Sequence, residues 1–81
     1  MARYSVESRR SGKEVLAQAV AYFGPGGLGL ETKEQDTCLV RFEGGGGHVL
    51  VTVSARDKGT TVDLETREWD YHVRRFMATL K

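Results

Sequence analysis

Three runs of alternating apolar and polar residues, Thr37–Glu43, His48–Ala55 and Thr60–Thr66, dominate the second half of the chain. Successive strand residues point to opposite faces of a sheet, so alternation assigns each side chain to core or solvent. Cys38, Val40 and Phe42 share one face of the first run. Val49, Val51 and Val53 share one in the second, and Val62, Leu64 and Thr66 one in the third. With Gly44–Gly47 and Arg56–Gly59 as four-residue loops, the runs form an antiparallel meander.

The registers can be written down from the loops. Phe42 faces Val49, Val40 faces Val51 and Cys38 faces Val53; beyond the second loop Val53 faces Val62 and Val51 faces Leu64. A slip of one residue would carry Asp63 into the core, so the hydrophobic pattern itself selects this pairing. The reverse face then holds rows of Glu43, His48 and Arg67, of Arg41, Leu50 and Glu65, and of Leu39, Thr52 and Asp63. It is mainly polar, with Leu39 and Leu50 as the interruptions.

Two amphipathic helices are expected to cover the apolar face. Ser11-Gly12-Lys13-Glu14 has the form of a capping box, in which side chain and backbone satisfy each other reciprocally. The helix it opens runs to Phe23, with Val15, Leu16, Ala19, Val20 and Phe23 on one stripe. Gly24, in a left-handed cap, and Pro25 stop it. A second helix begins near Arg67, capped by Thr66, with Glu68 and Asp70 at its positive dipole end. Trp69, Val73, Phe76, Met77 and Leu80 make its apolar stripe.

Two segments are less regular. Ala2–Arg10 alternates as an edge strand, with Tyr4, Val6 and Ser8 opposite Arg3, Ser5 and Glu7. Gly26–Glu31 starts another strand, with Leu28 and Leu30 inward, before a polar turn over Lys33–Asp36. The fold class is therefore α+β: a three- or four-stranded antiparallel sheet with two helices on one face, in the order β-α-β-β-β-α. The whole of 1–81 is a single small domain.

Composition narrows the function without choosing it. Twelve basic residues against 11 acidic leave a net charge of +1, which lacks the one-sided field of a general nucleic-acid or membrane-surface binder. No apolar stretch approaches the roughly 20 residues of a membrane span. The lone Cys38 cannot form an intrachain disulfide, which favours a reducing, cytoplasmic setting.

Candidate chemistry is thin. Gly24-Pro25-Gly26-Gly27-Leu28-Gly29 spells G-x-G-x-x-G, but a dinucleotide fingerprint follows a strand and opens a helix, and here the order is reversed. Gly44–Gly47 could present backbone N–H groups to an anion, although glycines at a hairpin tip first read as a flexible connection. Cys38, His48 and His72 fall on different faces, so neither a metal site nor a Cys–His nucleophile is expected, nor any cofactor. His48, Arg41 and Glu65 on the polar sheet face, with Trp69 and Tyr71 at the start of the last helix, are the candidates for ligand contact. A solvated charge network and core or boundary aromatics are the favoured account of them, since no pocket is evident from the pattern. No catalytic residue is assigned.

Three function classes compete. The leading expectation is a non-enzymatic binding or self-association module, a homodimer or a partner of another protein, acting through Leu39, Leu50 and unpaired sheet edges. The alternative is a small-ligand binder or enzyme with a pocket between sheet and C-terminal helix, since the element order resembles an abbreviated helix-grip arrangement. Helix–three strands–helix also resembles the order of double-stranded RNA-binding domains. Glu68 and Asp70 stand where a basic cluster would be wanted, which counts against nucleic acid.

Overall fold

The computed structural model describes residues 2–80. Seven elements follow one another: β1 (Ala2–Ser8), α1 (Gly12–Phe23), β2 (Glu31–Gln35), β3 (Leu39–Gly44), β4 (Gly47–Arg56), β5 (Gly59–Arg67) and α2 (Asp70–Thr79). The strands form one antiparallel sheet in the order β1-β5-β4-β3-β2. The class is α+β as expected, but the sheet has five strands rather than three or four. Both irregular segments contribute a strand, one at each edge.

The central registers follow the hydrophobic pattern. Phe42 pairs with Val49, Val40 with Val51, Val51 with Leu64 and Val53 with Val62. Val40, Phe42, Val49, Val51 and Val62 are fully buried, and Phe23, Val73 and Phe76 close over them from the helices. Phe23 lies 5.6 Å from Phe42 and 5.3 Å from Phe76, centroid to centroid, within the range of favourable aromatic pairs. The core thus occupies one side of the sheet only.

Helix α1 begins with the reciprocal cap. The Ser11 hydroxyl accepts from the Glu14 N–H at 3.1 Å, and the Glu14 carboxylate accepts from the Ser11 N–H at 3.4 Å. Its end differs from expectation. Gly24 is extended (φ −75°), not left-handed, and a Cβ there would stand 2.5 Å from the Val20 carbonyl oxygen. Close approach, rather than handedness, demands glycine at that position.

The segment after α1 corrects the sequence expectation. The N–H groups of Gly27 and Gly29 donate to the Gly24 carbonyl, that of Leu28 to Tyr22 and that of Leu30 to Phe23. Residues 27–30 are therefore committed to closing the helix, and no ladder can start before Glu31. The strand falls on Glu31–Gln35, where a polar turn was expected, because an edge strand with little burial needs no apolar pattern. Leu30 is buried as expected; Leu28 is exposed.

Two further expectations fail at strand ends. Thr66 does not cap α2: it is buried in β5, its hydroxyl donating to the His48 carbonyl at 2.8 Å. The chain turns at Glu68, with φ +76°, and α2 opens at Asp70 behind Trp69, which supplies no side-chain cap. Cys38 is exposed rather than buried. Its carbonyl accepts from the Val53 N–H, but its own N–H is held by the Asp36 carboxylate at 2.8 Å, in a turn that ends before β3 begins.

Candidate functional site

The side of the sheet that no helix covers carries most of the candidates. It is built from alternate residues of all five strands, and the strand registers bring them into rows. Glu31, Glu43, His48 and Arg67 form one row; Arg41, Leu50, Glu65 and Arg3 form the next; Leu39, Thr52, Asp63 and Ser5 the third. Leu39 and Leu50 are half-buried among these charges.

Local ion pairs run across the rows. Glu65 lies between the His48 ring, with Nε2 at 3.3 Å, and the Arg3 guanidinium at 3.2 Å. Arg41 meets both Glu43 and Glu34, the latter at 3.5 Å. Lys33 pairs with Glu31 at 3.1 Å, and Arg56 with Glu7 at 2.6 Å. The Arg67 guanidinium instead donates to the Gly46 carbonyl at 3.2 Å. A shallow concavity of about 690 Å³ opens here, bordered by Glu31, Arg41, His48, Leu50, Glu65 and Arg67. Charges of both signs line it, so it presents neither a cationic nor an anionic trap.

No family model, curated protein or solved structure matches this chain. The reading of the site therefore rests on its own geometry.

The structure gathers His48, Arg41 and Glu65 on the open face, but Trp69 and Tyr71 lie elsewhere. The Trp69 indole N–H donates to the Gly44 carbonyl at 3.0 Å and its ring packs against Gly45, so it locks the β3–β4 turn to the start of α2. That turn is tighter than a four-residue loop. Gly44 and Gly47 pair with each other, leaving Gly45 (φ +58°) and Gly46 (φ +81°) as a two-residue connection whose positive φ angles suit glycine. Tyr71 is exposed, its hydroxyl accepting from Arg75 at 3.1 Å beneath the guanidinium. That contact raises the Arg75 pKa above its ordinary value.

Elsewhere the chemistry is dispersed. His72 lies on α2 beside Tyr22, Trp69 and Tyr71, away from His48, and its Nδ1 is buried without a partner among the described residues. Among the described residues no three His, Cys, Asp or Glu side chains gather as a metal site would require. The interval between α2 and the sheet is occupied by Val73, Phe76 and Leu80, each no more than 1% exposed.

Residues that the alternating runs alone did not bring to the site come from the edge strands. Arg3 reaches Glu65 because β1 pairs with β5, and Glu34 reaches Arg41 because β2 is displaced along the chain. The alternation of Ala2–Ser8 contained the first of these, once β5 is taken as its neighbour. The bulge between Thr32 and Glu34 has no such signature in the sequence.

Proposed function

We propose that this protein is a non-catalytic self-association module, completed by a second copy of the chain. One observation carries the reading: helices shield one face of the sheet, while the other leaves Leu39 and Leu50 half-buried and the strand order leaves edges unpaired. Covering apolar surface contributes roughly 25 cal/mol per Å², and an exposed edge offers backbone groups in need of partners. The balanced charge suits contact between identical molecules, because a surface rich in one sign would repel its own copy. Small-ligand chemistry draws less support, since the open concavity has internally paired charges and packed side chains fill the space under α2.

Sedimentation equilibrium across a wide concentration range tests the reading. A concentration-dependent rise from the 9.0 kDa protomer towards twice that mass is expected. A single protomer mass at every concentration would reject it.

A further inference from the structure

We propose that two copies join along β1, antiparallel and centred on Ser5, to make one continuous ten-stranded sheet; this rests on the self-association reading through its unpaired edge and leaves the open face with Leu39 and Leu50 uncovered.

The two sheet edges differ in how they meet solvent. On β2 the ladder is broken by a register shift between Thr32 and Glu34, and Glu31, Lys33 and Glu34 are exposed on a five-residue strand. Short length, a bulge and charge are the devices by which natural edges resist pairing. The opposite edge has no break: all seven residues of β1, Ala2 to Ser8, pair one for one with Thr66 to Thr60. It contains neither proline nor glycine. Beyond Ser8 the chain turns back over β5, where the Thr60 hydroxyl donates to the Arg10 carbonyl at 2.7 Å. That exit leads towards β5 and away from the free edge.

The sequence of this edge is complementary to itself. In Ala2-Arg3-Tyr4-Ser5-Val6-Glu7-Ser8, an antiparallel copy centred on Ser5 places Arg3 opposite Glu7 of the partner subunit and Glu7 opposite Arg3 of the partner subunit. Tyr4 then faces Val6 of the partner subunit, an aromatic against a β-branched side chain, and Ser5 faces its own equivalent. These are the cross-strand combinations that stabilise antiparallel pairs. The register keeps both faces consistent: the charged pairs stay on the open side, and Tyr4 and Val6 stay on the helix side. Both side chains are exposed enough to turn towards a partner: Arg3, 82% exposed, would share its guanidinium between Glu65 and the new contact, and Glu7, half exposed, would share its carboxylate with Arg56 and Thr61. A two-fold axis normal to the sheet sets both open faces on the same side and all four helices on the other.

Charge reversal tests the register. Arg3→Glu and Glu7→Arg each place like charges in both symmetric pairs, and each is expected to raise the dimer dissociation constant roughly tenfold. The combined R3E/E7R variant restores opposite charges and is expected to return close to wild-type affinity. Far-ultraviolet circular dichroism checks that every variant keeps its fold. An independent test uses Ser5→Cys in a Cys38→Ser background: mild oxidation is expected to give a disulfide-linked dimer, whereas Lys33→Cys in the same background stays monomeric on a denaturing gel. A dimer unaffected by either single reversal and dissociated by Leu50→Glu would overturn the β1 interface but leave self-association standing. A wild-type monomer at all concentrations would overturn both.

Discussion

The Trp69 indole lies against the β3–β4 turn closely enough that a Cβ on Gly45 would stand 2.9 Å from its ring, while its N–H satisfies the Gly44 carbonyl. Trp69→Phe retains an aromatic ring but not the hydrogen bond, so it should cost about 0.5–1.5 kcal/mol, seen as a lower urea midpoint at unchanged m-value. Gly45→Ala adds a contact with the ring to the strain of a positive φ; Gly46→Ala adds strain alone, as nothing lies within 4 Å of its Cβ position. The first should therefore be the more destabilising, by thermal melts of both. Tyr4 supplies a pH-dependent contribution. Its hydroxyl donates to Asp70 at 2.7 Å, which raises its pKa from the ordinary value of 10.0. The folded state then holds this proton more tightly than the unfolded chain does. The associated stability is complete below the unfolded pKa and is lost as pH rises through the folded one. Melting temperatures measured into the alkaline range should fall less for Tyr4→Phe than for wild type, and parallel curves would exclude the contribution.

At the scale of elements, one strand pair offers an internal comparison between faces. Leu64 on β5 is 2% exposed on the helix side, whereas Leu50 on neighbouring β4 is half-buried on the open side. Leu64→Ala should cost about 2–5 kcal/mol through lost burial and a cavity, and Leu50→Ala below about 1 kcal/mol in the monomer. Equal costs in denaturant titrations would contradict the one-sided core. The meander was legible because Val40, Val51 and Leu64 each alternate with a polar neighbour, and only one register keeps Asp63 out of the core. Helix α1 was legible because Ser11 and Glu14 carry their own start signal. What failed was decided in one case by a distant contact and in another by short-range backbone bonds that leave no side-chain pattern. Thr66 looks like an N-cap in sequence, but a buried position beside the His48 carbonyl holds its hydroxyl in the sheet. The strand β2 was misplaced because backbone bonds from residues 27–30 to the end of α1 delay the ladder, and its own polar residues carry no period. The site followed the same division. His48, Arg41 and Glu65 could be put on one face by alternation, whereas the locking role of Trp69 depends on a turn brought to it from another part of the chain.

For the molecule as a whole, the two ends of the sheet pose opposite problems: β2 is short, bulged and charged, and β1 is unbroken over seven residues. In an isolated protomer both are outer strands, and both should exchange amide hydrogens faster than the central strand β4. Association along β1 breaks that symmetry. Raising protein concentration through the dimer midpoint should slow exchange in Ala2–Ser8 while leaving Glu31–Gln35 unchanged, because only the first gains backbone partners. The cross-interface pairs of Arg3 with Glu7 of the partner subunit lie on the solvent side, so added salt should weaken the dimer modestly rather than abolish it. Hydrogen exchange followed by mass spectrometry at two concentrations and two ionic strengths reads both effects. Concentration-dependent protection of Glu31–Gln35 with none in Ala2–Ser8 would move the interface to the other edge. Slowing confined to the strands around Leu39 and Leu50 would instead place one open face against another, so the peptide that gains protection identifies which uncovered surface of the sheet the second copy takes.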